Sequence, residues 1–82
     1  MKRIEWKPKA LHQIRKISNQ ETKRLIYDAV DTLKYFPQCL NIKKLKGRNE
    51  YRLRVSHWRV IFTDSLKILY IEEVKKRNEH TY

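Results

Sequence analysis

The sequence has a single cysteine (Cys39), a single glycine (Gly47) and two prolines (Pro8 and Pro37). One cysteine excludes an internal disulfide and a multi-cysteine zinc site. No apolar run approaches the ~18 residues that a membrane span needs, and the N-terminus lacks the apolar segment of a signal peptide. These absences point to a cytoplasmic protein. Internal repeats, low-complexity stretches and linkers are missing too. Acidic residues are scarce: nine Asp and Glu face twenty Lys and Arg, for a net charge of +11. The imbalance is not a detachable basic tail, because residues 1–40 carry nine basic and four acidic residues and residues 41–82 carry eleven and five. Such a field suits nucleic acid, an acidic protein or an anionic membrane surface. A merely soluble surface is the bland alternative.

What is present is enough for one small domain, residues 1–82, with 40% hydrophobic residues to form one core. A chain of this size buries roughly 60% of its unfolded surface, so its stability is modest. In residues 3–7, Ile4 and Trp6 alternate with charged neighbours, as in a short strand. Leu11, Ile14 and Ile17, with Ala10, recur at helical spacing over residues 9–17. Residues 18–21 read as a capping box with Ser18 or Asn19 as N-cap, opening a second helix that runs to about Tyr35. Its buried stripe is Leu25, Ile26, Ala29, Val30 and Leu33, and Phe36-Pro37 ends it. The short connection makes the two helices an antiparallel hairpin.

Residues 38–44 read as a connector anchored by Leu40 and Ile42, and Gly47 marks a turn with positive φ. Residues 50–55 alternate strictly, with Tyr51, Leu53 and Val55 to one side and Arg52 and Arg54 to the other. Residues 58–63 read the same way across the turn-prone pair Ser56-His57. A hairpin register that puts Leu53 and Val55 on the face of Trp58, Val60 and Phe62 also sets Arg54 opposite, or nearly opposite, Arg59. Facing like charges are destabilising, so a face carrying Arg52, Arg54 and Arg59 implies an anionic guest. A solvated strand face is the bland alternative. After a turn at Asp64-Ser65, residues 66–74 form a last strand whose start is apolar on both faces, placing it inside the sheet. The order is strand, helix, helix, strand, strand, strand: an α+β fold with the helix pair on one face of a small, mostly antiparallel sheet.

The segment LKGRNEYRLRVSHWRVIF and the closing KKRNEHTY together resemble the RelE/ParE toxin superfamily of bacterial type II toxin–antitoxin systems. The matching slots are Leu45, Gly47, residues 51–55 and residues 58–62, and the element order covers the whole chain. The resemblance implies a toxin neutralised by an antitoxin, an acidic one that wraps it with an extended segment. RelE-like members are ribosome-dependent endoribonucleases that cut mRNA in the ribosomal A site. They use 2′-hydroxyl attack without a metal or other cofactor, with the 70S ribosome and mRNA as partners and no membrane involved. ParE-like members instead poison DNA gyrase, and an inactive RNA-binding member is a further alternative.

Carried over by resemblance, Arg59 contacts the scissile phosphate, for which its planar fork is suited. Arg52 and Arg54 occupy positions that are lysines in RelE itself. Arginine cannot readily act as a base, which leaves the general base open, with Glu50 and His57 as spare candidates. Arg77 corresponds to a C-terminal arginine that offsets transition-state charge. Tyr82 is the terminal aromatic that stacks on a base, and His80 corresponds to a tail histidine acting as general acid. Lys43, Lys44, Lys46 and Arg48 are expected on RNA backbone. His12 reads as a bystander, Trp58 as a core residue and Cys39 as structural.

Overall fold

Strict alternation in the sequence is realised as strands in the structure, a computed structural model that describes residues 1–47 and 49–76. The expectations for Arg48, Arg77, His80 and Tyr82 therefore lie outside the described residues. The elements are β1 (Arg3–Trp6), α1 (Pro8–Arg15), α2 (Gln20–Asp31), a 3₁₀ turn (Thr32–Tyr35), β2 (Ile42–Lys44), β3 (Glu50–Val55), β4 (Trp58–Asp64) and β5 (Ile68–Lys76). The sheet order is β1-β5-β4-β3-β2. Among the described residues, only the β1–β5 pair is parallel. The α+β class and the interior place of the last strand are as expected, with one strand more. Residues 42–44, expected within a connector, pair antiparallel with β3 as Ile42↔Leu53, Lys43↔Arg52 and Lys44↔Tyr51. Three residues are too few to display a period of two.

Both helices pack on one face of the sheet. Pro8 takes the first turn of α1, where its missing N–H is no loss. Asn19, not Ser18, caps α2, its side chain accepting the Thr22 N–H at 3.0 Å. The α-helix ends at Asp31, and its continuation to Tyr35 tightens into the 3₁₀ turn. Ala10 and Ile14 of α1, Ile26 and Val30 of α2, and Leu33 of the 3₁₀ turn are buried against Leu53, Val60, Phe62, Leu69 and Ile71. Each of these Val, Leu, Ile and Phe side chains contributes about 1.5–3 kcal/mol over its exposed state. Phe36, Tyr51 and Phe62 close the core with ring centroids 5.1–5.5 Å apart, tying the chain after the 3₁₀ turn to β3 and β4.

Three leucines expected inside lie outside. Leu25 is 51% exposed, Leu40 82% and Leu66 94%. Leu25 precedes Ile26 by one residue, about 100° around the helix from the Ile26–Val30–Leu33 stripe. Leu40 is not the anchor of its segment; Ile42 is, through its pairing with Leu53. Leu66 sits in the turn before β5. No helix among the described residues is long and apolar enough to cross a membrane.

Candidate nucleic-acid interface

The two-residue turn Ser56-His57, with Ser56 at φ +53°, fixes the β3–β4 register as Val55↔Trp58, Arg54↔Arg59, Leu53↔Val60 and Arg52↔Ile61. Leu53, Val55 and Val60 consequently face the helices, with Trp58 half-buried beside them. Arg54 and Arg59 stand directly opposite one another on the other face, with Arg52 diagonal to Arg59. On β2, Lys43 pairs with Arg52 and joins this face.

β5 adds the fifth cation by an irregularity. Its sequence Ile71-Glu72-Glu73-Val74 breaks alternation, yet Ile71 and Val74 are both buried in the core. A regular strand would send them to opposite faces. The register jumps instead, from Ile61↔Glu73 to Phe62↔Ile71, leaving Glu72 as a bulge. The bulge turns Val74 inward and Lys75 outward, so that Lys75 lies opposite Arg59. One row across the sheet thus reads Arg54, Arg59, Lys75, and the next reads Lys43, Arg52, Ile61, Glu73. Ile61, only 5% exposed, gives the second row an apolar centre.

Two acids of this face, Glu72 and Glu73, are engaged away from the arginines. Glu72 accepts from the Thr63 hydroxyl at 2.8 Å, and Glu73 pairs with Lys9 at 3.1 Å and Lys75 at 3.5 Å. Burial pushes the Glu73 carboxyl up, but the Lys9 hydrogen bond and the Lys75 and Lys9 charges outweigh it, so its pKa is lowered. Among the described residues, no carboxylate is paired with Arg52, Arg54 or Arg59. Three guanidinium groups on a water-facing sheet, with Lys43 and Lys75 at the flanks, form a concentrated site for an anion.

Of the other expected contacts, Lys46 lies exposed in the turn after β2. Lys44 falls on the opposite side of the sheet, with its ammonium 5.9 Å from the centre of the Tyr51 ring. Glu50 pairs with Thr63 on the arginine face, and His57 sits in the β3–β4 turn. His12 is exposed on α1. Cys39 is half-buried against the core, and burial raises its thiol pKa.

One positioning residue carried no sequence signal. β1 pairs with β5 only as far as Trp6↔Ile71 and the Lys7 N–H bond to the Ile71 carbonyl, so β5 outruns its neighbour. Gln13 of α1 fills the gap, accepting the Val74 N–H at 2.6 Å. It thereby secures the end of β5 that presents Lys75.

The profile of the family described as "ParE toxin of type II toxin-antitoxin system, parDE" matches residues 4–80. No curated protein matches this chain in sequence. Among solved structures, the isolated RelE toxin of E. coli superimposes with a TM-score of 0.82 at 15% identity, covering 99% of this chain and 89% of that one. A chain of the archaeal RelE–RelB complex from Pyrococcus horikoshii OT3 gives 0.79 at 22% identity, covering 95% and 97%. A chain of the YoeB–YefM complex from Staphylococcus aureus gives 0.77 at 17% identity, covering 95% and 99%. At these identities the structural likeness establishes the fold, and the family profile, spanning nearly the whole chain, establishes the kinship. The chain belongs to the ParE toxin family of type II toxin–antitoxin systems, within the RelE/ParE superfamily.

Proposed function

We propose that this toxin is a ribosome-dependent endoribonuclease that cleaves mRNA in the A site of the 70S ribosome and so inhibits translation in the cytoplasm. The observation that carries the reading is the row Arg54–Arg59–Lys75 beside Lys43 and Arg52, cations in register with no carboxylate paired to the arginines among the described residues. Such a row costs folding energy and repays it only when an anion is bound.

RNA cleavage by in-line attack of the 2′-oxygen on the adjacent phosphorus forms a pentacovalent phosphorane and expels the 5′-oxygen. Negative charge builds on the equatorial oxygens, and preorganised cations stabilise it. Arg59, central in the row, takes the scissile phosphate with its planar fork. Arg52 and Arg54 spread the remaining charge, and Lys43 and Lys46 bind flanking backbone phosphates. Lys44 lies on the far side of the sheet and contributes through the general field. Arg77, His80 and Tyr82, outside the described residues, complete the proposal as charge partner, general acid and base-stacking ring. A cognate antitoxin, acidic in character, is the inhibitory partner. The fold shared with the RelE and YoeB toxins is compatible with this reading.

A second reading, inhibition of DNA gyrase without catalysis, is favoured by the family profile, which is named for ParE. The test is to pulse-express the protein and map 5′ ends on translated and untranslated copies of one mRNA. New 5′-hydroxyl ends at codon-phased positions, only on the translated copy, are expected. Intact mRNA alongside growth arrest overturns the nuclease and makes the arginine face a docking surface for gyrase.

A further inference from the structure

Beyond the two cationic rows, the outward face of the sheet changes character. The next row reads Glu50, Thr63, Tyr70, Glu5 across β3, β4, β5 and β1, and it holds no cation. The bulge sets a further acid beside this row. Glu72, unpaired with β4, lies on the outward face, where the Thr63 hydroxyl donates to its Oε2 at 2.8 Å. Its Oε1 takes no hydrogen bond among the described residues. Glu73, by contrast, is held by the ammonium groups of Lys9 and Lys75.

Tyr70, opposite Thr63, is half-buried, and the Lys7 ammonium stands 4.8 Å from the centre of its ring. Residues two apart along a strand are separated by about 7 Å, and those four apart by about 13 Å. Along β4 the outward order is therefore a cation at Arg59, an apolar floor at Ile61 and the Thr63–Glu72 acceptor beyond it. A nucleotide of a single strand has the same order: phosphate, ring face, and a base edge that hydrogen-bonds.

We infer that Glu72, positioned by Thr63, selects guanine in the RNA guest, accepting from the Watson–Crick edge of a base whose phosphate lies on the arginine row and whose ring lies over Ile61 and Tyr70. A carboxylate held by one hydroxyl offers two oxygens to two parallel N–H donors. Guanine presents such a pair on one edge, the ring N1–H and the exocyclic amino group. Adenine and cytosine present one amino group beside a ring nitrogen whose lone pair would face the carboxylate, and uracil one N–H between two carbonyls. Phosphate alone would be served by the arginines and repelled by Glu72, so this end of the face discriminates among guests rather than adding affinity for all of them. The inference rests on the reading of the face as an RNA site and adds a base preference to it.

The test titrates the full-length toxin at low salt with the 5′-monophosphates of guanosine, adenosine, cytidine and uridine, following backbone amide shifts by NMR. The guanosine nucleotide is expected to bind at least fivefold tighter than the other three, shifting the amides of Ile61, Thr63, Tyr70 and Glu72 as well as those of the arginine row. Glu72→Gln should weaken the guanosine nucleotide to the level of the others. The other three should bind that variant as tightly as wild type or more tightly, because a charge that repels their phosphate is gone. A role in folding or in the general field would move all four the same way. Thr63→Val, which frees the carboxylate to turn, should lose part of the guanosine advantage. Equal or absent binding of the four nucleotides to the wild type overturns the inference, as do guanosine shifts that miss Thr63 and Glu72. So does uniform weakening in Glu72→Gln, or an unchanged guanosine advantage in both variants. On translated mRNA, wild-type cuts should favour codons with guanine at one fixed position, and Glu72→Gln should lose that enrichment. Uncut mRNA removes the nuclease proposal and leaves the nucleotide affinities standing, so the two fail separately.

Discussion

Replacing Arg59 by glutamine should make the protein more stable and less toxic at once. Arg59 has a like charge in register on each side, Arg54 on β3 and Lys75 on β5. Directly opposed side chains start with Cβ atoms about 5 Å apart. The charged ends splay to roughly 8 Å, where two unit charges in water repel by about 0.5 kcal/mol. Two such pairs sum to about 1 kcal/mol, less a few tenths for the packing of the half-buried arginine stem that glutamine shortens. In a domain of this length 1 kcal/mol corresponds to about 4–8 °C in melting temperature. Arg59→Gln is therefore expected to melt several degrees above wild type at low ionic strength, and Arg54→Gln, relieved of one pair, about half as much. At about 1 M salt, where the screening length falls to about 3 Å, the gain should vanish. Growth arrest should be lost in both variants. Calorimetry at the two salt concentrations, beside an induction assay at matched expression, reads both effects. A melting point that falls at low salt, or a gain that survives 1 M salt, refutes mutual repulsion and with it the inference of an anion site.

The gap-filling bond of α1 and the ion cluster on β5 lend themselves to similar measurements. Gln13→Ala leaves the buried Val74 N–H without an acceptor, at a cost of about 1–3 kcal/mol. Gln13→Glu keeps an acceptor and should recover most of it; unchanged melting and unchanged exchange of the Val74 amide in the alanine variant would contradict this role. Glu73, with its pKa lowered in the folded state, stabilises the fold above the ordinary carboxylate range and loses that contribution as pH falls through its depressed value. Glu73→Gln should therefore lower stability at neutral pH and flatten the acid limb of the stability–pH curve, so that variant and wild type converge in acid, and an identical acid limb would rule that out.

Where repetition was long enough to be a pattern, the sequence could be read directly. Six alternating residues in β3 and seven in β4, joined by two, leave little freedom in the hairpin, and the Arg54–Arg59 opposition follows from counting alone. β2, with three residues, has no period to read. The outward turn of Lys75 depends on the bulge at Glu72, whose trace in the sequence is the pair of acids between two buried aliphatics. That pair is recognisable once the partner strand is known. The Gln13–Val74 bond depends on β5 outrunning β1, a fact about two strands far apart in the chain. The exposed leucines misled because hydrophobicity marks what can be buried, and among the described residues nothing covers Leu40 and Leu66.

The pairing of β1 with β5 also sets a timetable for the protein's own synthesis. The first strand to leave the ribosome is an edge whose sole neighbour is the fifth, and the helices pack largely on strands made after them. Until β5 emerges, β4 has one open side, α1 has no floor, and Lys75 is not yet present to complete the charged row. Contacts so distant in the chain form late and slowly. A nascent chain can therefore set Arg54 against Arg59 in the β3–β4 hairpin, but the row gains Lys75 and the sheet gains β1 only when β5 has been made.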